Sequence, residues 1–161
     1  MKWLISMIIM AVIYWLFKDV SILYLAIFVI GMQLLTKWIY NTPLTYDMTL
    51  NHPWFDFTER GDKIFEGRCR TNKINGIRKG DFIIFAHYTD PYRLTFKKKV
   101  KGVQYYRTFR EALEFHHRMG QLQKVLPGVI TVDEGVQIYH TYVSQPTQER
   151  DGVCLIELQN V

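Results

Sequence analysis

Two long apolar runs near the start of the chain constrain its fold more than any other feature. Residues 3–17 and 20–40 are largely apolar, and only the charged pair Lys18–Asp19 interrupts them. Apolar side chains on every side of a helix are typical of a helix buried in protein or lipid, and about 20 such residues cross a bilayer. The pattern therefore predicts a transmembrane segment over residues 1–40, arranged as a helical hairpin of 3–17 and 20–40.

Three other arrangements of these runs are weaker. One long tilted helix would hold Lys18 and Asp19 inside the bilayer, at about 2.5 to 3.5 kcal/mol for each charge. A cleaved signal peptide needs small residues at a cleavage site, and none follow the first run. A buried helix pair in a soluble protein needs a larger remaining chain to cover it. Lys2 precedes the first run and Lys37 lies near the outer end of the second, so the positive-inside rule predicts that the following domain lies on the cytoplasmic face of the membrane.

After the apolar runs, residues 41–50 are predicted to be a linker and residues 51–161 a folded domain. The domain opens with NHPWFDFTERGDKIFEGRC, residues 51–69. Its first part has the features of a short helix, and Gly61 suits the residue just past a helix end. Beyond Gly61 the period of the pattern changes to two, which predicts a strand.

The rest of the domain combines short strands with helices. Apolar or alternating runs predict strands over residues 81–86, 94–101 and 152–158. Two capping boxes, Thr108 with Glu111 and Thr131 with Glu134, each predict the start of a helix. This order of elements predicts the α+β class, with a small, partly open β-barrel and helices inserted between its strands.

Three charged residues in the turn from helix to strand form the strongest candidate site. Lys63 and Arg68 suit a phosphate group or a base edge, and Glu66 suits the acceptance of a hydrogen bond from an exocyclic amine. The alternative is an intramolecular ion pair that braces the turn. Trp54 offers a ring on which a base can stack, although a tryptophan on a helix face is more often part of a core.

Basic residues continue beyond this turn, with no acidic residue between Glu66 and Asp81. The cluster consists of Arg68, Arg70, Lys73, Arg78 and Lys79. It suits a loop that follows the phosphates of a nucleic acid, or one that lies against anionic lipid headgroups. The five histidines lack the spacing of a metal site, and no dinucleotide or phosphate-loop fingerprint is present, so neither a metal nor a cofactor is predicted.

Five motifs of the domain, in order, resemble those of the ASCH domain family. They are G-x-K-x-x-E-G-R from Gly61, G-D-x-I-x-F from Gly80, Y-x-x-F-R-E-x-L from Tyr106, L-P-G then E-G-V-x-I-Y from Leu126, and G-V-x-x-I-E-L from Gly152. The resemblance covers about residues 50–158. It implies a PUA-like β-barrel with flanking helices, and a cleft beside the first helix–strand turn that is proposed for the family as an RNA-binding site.

One branch of this family hydrolyses the acyl amide of N4-acetylcytidine, with a lysine and a threonine of this turn and a distant glutamate. Lys63 occupies the lysine place, but Glu66 stands in the threonine place, so that nucleophile is absent. We therefore expect a membrane-tethered ASCH-like domain that binds RNA or a modified nucleotide. Two alternatives remain: an amidohydrolase of a modified nucleoside, with Lys63 and Glu66 as its acid–base pair, and a non-catalytic membrane adaptor for a protein partner.

Overall fold

The structure of the protein is a computed structural model that describes residues 2–16, 22–90 and 94–161. The chain separates into two compact units, Met1–Thr42 and Pro43–Val161.

The first unit contains two helices, α1 (Lys2–Leu16) and α2 (Ile22–Asn41). Helix α1 has 15 residues, which is fewer than the 17 or so that a span needs. Among the described residues, no helix is long and apolar enough to cross a membrane. The predicted transmembrane segment over residues 1–40 is therefore not supported, and the predicted hairpin turn at Lys18–Asp19 lies outside the described residues.

The second unit is an α+β domain built on one curled, half-barrel sheet of five strands. In chain order its elements are β1 (Thr45–Leu50), α3 (Trp54–Arg60), β2 (Phe65–Cys69), α4 (Asn72–Asn75), β3 (Phe82–His87), β4 (Thr95–Tyr106), α5 (Phe109–Arg118), α6 (Leu122–Val125), α7 (Val132–His140), α8 (Gln145–Asp151) and β5 (Val153–Asn160). The strand order is β1-β3-β4-β5-β2. Strand β1 runs parallel to β3, and the other neighbouring pairs are antiparallel. The α+β prediction is confirmed, and the predicted small, partly open barrel is a curled half-barrel sheet.

The prediction of a linker over residues 41–50 is corrected by strand β1. Met48 and Leu50 of this strand are buried, whereas the alternating Asp47 and Thr49 are exposed. The strand is too short and too polar to stand out in the sequence, and its pairing with β3 forms it. The backbone N–H of Phe82 donates to Leu44 O at 2.8 Å at one end of this pairing.

The predicted helix ends of the domain are confirmed. Gly61 takes φ +88°, a left-handed conformation that suits glycine, and its N–H donates to carbonyl oxygens of the last turn of α3. Thr108 accepts a hydrogen bond from Glu111 N at the start of α5, and Thr131 accepts one from Glu134 N at the start of α7. These caps satisfy backbone donors that a helix end leaves free.

The core of the domain lies on both faces of β5. Val153 and Leu155 are fully buried in the cluster that includes helices α5 to α7. Cys154 and Ile156 point the other way, into a second buried cluster within the curl of the sheet that also contains Phe85. Strand β5 is therefore covered on both faces, and it pairs with the edge strand β2 over Phe65–Cys69.

Candidate functional site

A cleft of about 750 Å³ lies where the two edge strands of the sheet, β1 and β2, approach each other. Residues 47–51 line one wall, and residues 66–69 line the other. A curled sheet that does not close leaves such an opening between its two edges, and here the opening forms the candidate site.

Two basic side chains from the β2 side reach across this cleft to the backbone of β1. Arg68 Nη2 donates to Thr49 O at 2.8 Å, and Lys73 Nζ donates to Asp47 O at 2.5 Å. Backbone carbonyl groups at the open edge of β1 therefore accept hydrogen bonds from side chains instead of from another strand. Both cations line the cleft, where an anionic group of a ligand would meet them.

A buried carboxylate lies between two cations inside the cleft. Glu66 is 5% exposed; its Oε2 lies 3.4 Å from Lys63 Nζ, and its Oε1 lies 2.8 Å from Arg68 Nε. The strand pairing explains this proximity: Glu66 lies opposite Ile156 and Arg68 opposite Cys154, so both side chains project from the same face of β2.

The Arg68 side chain retains an unused donor. Although its Nε lies close to Glu66, the N–H does not meet hydrogen-bond geometry with any acceptor of the described residues. The ion pair therefore holds the guanidinium in place without using its whole hydrogen-bonding capacity.

Lys63, by contrast, directs its donors into the protein. The side chain is 3% exposed, and Nζ donates to Phe65 O and to Val125 O, each at 2.6 Å. Burial lowers the pKa of this amine, and the charge of Glu66 offsets part of that effect. With two carbonyls and one carboxylate as partners, Lys63 connects β2 to α6. This arrangement agrees with the alternative interpretation of the sequence, an intramolecular ion pair that braces the turn.

Two aromatic residues complete the cleft. Trp54 is half-buried and lines the cleft, with Lys63 Nζ 5.9 Å from its ring centroid. Tyr139 lines the cleft from α7 and stacks on Phe109 at a centroid distance of 3.7 Å. The cleft therefore combines stacking surfaces with charged groups.

The structure divides the basic cluster that was predicted as one surface. Arg68 and Lys73 of this cluster line the cleft, together with the other predicted site residues Trp54, Lys63 and Glu66. Arg70, Arg78 and Lys79 are not among the residues that line it.

The three remaining cations lie in other surroundings. Arg70 lies over the Tyr105 ring, 4.9 Å from its centroid, beside a separate cavity of about 440 Å³. Arg78 Nε is 3.9 Å from Asp81 Oδ1, and Lys79 is exposed in the segment before β3. Arg78 and Lys79 lie away from the cleft because α4 and a loop separate them from the end of β2.

Sequence reasoning missed Tyr139 as a site residue, because its helical spacing with Val132 and Val136 assigns it to a buried stripe. The sequence feature that could have identified Tyr139 as a site residue is its place at the end of the E-G-V-x-I-Y motif. Within the described residues, no group of three His, Cys, Asp or Glu side chains is arranged to hold a metal ion.

Comparisons with known proteins identify relatives of this domain. A protein-family model, ASCH domain, matches residues 48–161. Six chains of known structure match, whereas a search of curated proteins found no match.

Three of the solved structures illustrate the likeness. A crystal structure of hypothetical protein PH0355 has 32% sequence identity and a TM-score of 0.62, and the match covers 73% of this chain and 99% of that one. The solution structure of protein PF0455 from Pyrococcus furiosus has 29% identity and a TM-score of 0.54, covering 71% and 96%. The crystal structure of ASCH from Zymomonas mobilis has 10% identity and a TM-score of 0.50, covering 71% and 66%, and this similarity concerns the fold.

Proposed function

Because this chain belongs to the ASCH domain family, we propose that its cleft binds single-stranded RNA or a modified nucleotide. The observation that carries the proposal is the buried Glu66 carboxylate, held between two cations in a cleft of about 750 Å³. Cavities of this size accommodate nucleotide-sized ligands.

Each group in the cleft suits one part of a nucleotide. The Glu66 carboxylate accepts hydrogen bonds only, which suits an exocyclic amine of a base. Arg68 and Lys73 supply positive charge for phosphate oxygens. Trp54 presents an aromatic surface on which a base can stack, at about 1 to 3 kcal/mol for each stacked base.

The geometry favours binding over hydrolysis. Lys63 is committed to two backbone carbonyls and to Glu66, so it is not free to exchange a proton with a ligand. The threonine nucleophile of the amidohydrolase branch is replaced by Glu66. Turnover of an acylated nucleoside by the wild type, abolished by Glu66→Gln, would overturn the binding-only proposal in favour of an amidohydrolase.

The test is fluorescence anisotropy of the full-length protein with labelled single-stranded RNA across a salt series. Lys73→Met removes one phosphate contact, so it should reduce the magnitude of the salt slope by about 0.7, the contribution of one single-strand phosphate. Arg68→Met should weaken binding at every salt concentration, because it removes a charged donor from the cleft.

Two matched substitutions outside the cleft provide the controls. Arg118→Met and Lys124→Met make the same chemical changes at exposed positions that do not line the cleft. We expect them to leave the affinity and the salt slope within error of the wild type. Equal losses in the cleft variants and the controls would show that RNA binds by general charge, and would refute the cleft as the site. RNA-independent capture of a protein partner would favour the adaptor alternative.

We further propose that the first unit attaches the protein to a membrane, with the ASCH domain on the cytoplasmic face. Large apolar side chains of both helices are exposed, among them Met7, Ile8, Trp15, Ile27, Ile30, Leu34 and Trp38. Removing such surface from water stabilises the bound state at roughly 25 cal/mol per Å². Liposome flotation of the full chain, compared with a variant that lacks residues 1–42, tests this. Flotation that is equal for both would refute it.

A further inference from the structure

The side chain of Tyr139 reaches the cleft from the helical side of the domain. Its ring is parallel to that of Phe109, with an interplanar angle of 4°, and the residue is 8% exposed. This stacking fixes the ring in one orientation, so the position of its hydroxyl is set by the core and not by a flexible side chain.

The Tyr139 hydroxyl has no hydrogen-bond partner anywhere in the described ranges of the chain, although it is buried. Burial raises its pKa well above the usual value, and the negative charge of Glu66 adds to this effect. The group therefore stays protonated and keeps an O–H to donate. Buried polar groups are nearly always paired, so an unpaired one calls for a specific explanation.

A second observation shows that the fold makes room for this hydroxyl. Gly67 lies on β2 between Glu66 and Arg68, and a Cβ atom built on it would lie 2.7 Å from Tyr139 Cζ and closer still to the hydroxyl oxygen. Any side chain at this position would displace the tyrosine. The glycine therefore lets the phenol approach β2 from the face opposite to the Glu66 and Arg68 side chains, and the three residues line the same cleft.

We propose that the Tyr139 hydroxyl is a specificity-determining donor that hydrogen-bonds to an acceptor atom of the bound base, beside the Glu66 carboxylate that accepts from its amine. This inference rests on the proposed nucleotide binding and deepens it. A base edge that pairs an amine with an adjacent unprotonated ring nitrogen satisfies both groups, and adenine and cytosine have such an edge. Uracil instead presents a carbonyl, which the carboxylate repels.

The proposal is tested by comparing Tyr139→Phe with the wild type, using short single-stranded homopolymers of A, C and U. The Phe variant keeps the ring and its stacking and removes only the hydroxyl. We expect its affinity for the A and C probes to fall about 3- to 10-fold, as for the loss of one hydrogen bond, and its weaker affinity for the U probe to change less than about 2-fold.

A matched substitution and a stability measurement separate this role from a structural one. Tyr105→Phe makes the same change at a residue that is 49% exposed and does not line the cleft, and it should leave all three affinities unchanged. The Tm of Tyr139→Phe should equal or exceed that of the wild type, because a buried hydroxyl without a partner does not stabilise the fold. A lower Tm would overturn the proposal by indicating a structural hydrogen bond.

The possible failures are distinguishable. Absence of binding by the wild type to all three probes would refute the nucleotide-binding proposal and this inference with it. Wild-type binding that Tyr139→Phe leaves unchanged, or weakens equally for the three probes, would refute only the role of Tyr139 as a reader of the base.

Discussion

Replacing Lys63 by methionine removes a buried cation and keeps an unbranched side chain. In the wild type, Lys63 Nζ donates to Phe65 O and Val125 O, each at 2.6 Å, and lies 3.4 Å from Glu66 Oε2. Methionine can form none of these interactions. If Lys63 braces β2 against α6, as these contacts indicate, the main effect of the substitution should be a loss of stability and not the loss of a contact with a ligand.

The size of this loss follows from the three partners. Two buried carbonyls lose a charged donor, at about 1 to 3 kcal/mol each. Glu66 keeps Arg68 Nε at 2.8 Å, so its charge is not left alone. We therefore expect Lys63→Met to lower the free energy of unfolding by about 2 to 6 kcal/mol, the sum for the two carbonyls. This is a large part of the 5 to 15 kcal/mol that is usual for a domain.

Urea unfolding followed by tryptophan fluorescence measures the effect, because Trp54 lies beside the Lys63 amine. The double variant Lys63→Met with Glu66→Leu should cost less than the two single changes added together, since it removes the charges as a pair. Lys124→Met, at an exposed position, should stay within about 0.5 kcal/mol of the wild type.

The direction in which stability changes with pH is an independent test of the role of Lys63. Burial lowers the folded-state pKa of Lys63 below its usual 10.5, so the unfolded chain binds a proton that the folded chain has already released in the alkaline range just below 10.5. Wild-type stability should therefore rise with pH through that range, and the Lys63→Met variant should lack this contribution. A variant as stable as the wild type, with an unchanged alkaline profile, would refute the bracing role of Lys63.

Three further predictions concern other parts of the domain. Gly67→Ala should destabilise the fold by about 1 to 3 kcal/mol in urea unfolding, because its Cβ overlaps the Tyr139 ring, and a Tyr139→Leu background should abolish most of this loss. Burial lowers the folded-state pKa of His116 below 6.5. The free energy of unfolding should therefore fall as the pH drops below about 6.5, by at most about 1.4 kcal/mol per pH unit. His116→Leu should flatten this pH dependence, whereas His117→Leu, at an exposed position, should not. Lys98 is 5% exposed and donates to a backbone carbonyl and an asparagine side chain. Lys98→Met should therefore lower the free energy of unfolding, measured by thermal denaturation, by about 1 to 3 kcal/mol. An unchanged free energy would show that these two hydrogen bonds do not stabilise the fold.

Sequence reasoning succeeded where the signal is local. The caps at Thr108 and Thr131 and the turn at Gly61 depend on residues within four positions of one another, and all three lie where they were predicted. The juxtaposition of Glu66 and Arg68 is also local, because residues two apart on a strand share a face. For the same reason the helix–strand turn was recognisable as the candidate site.

Only the tertiary structure decided the rest, because it depends on contacts between residues far apart in the chain. The polar residues 45–50 become a strand through pairing with β3, and this strand supplies one wall of the cleft. Arg70, which follows Arg68 closely in sequence, turns away to Tyr105. Tyr139 enters the site 72 positions after Gly67, through a close approach that the missing Cβ permits. The sequence by itself determined the capped helices and the charged turn. The curl of the sheet determined which side chains share the cleft, because β1 and β2 stand at opposite ends of the strand order and meet only when the sheet curls.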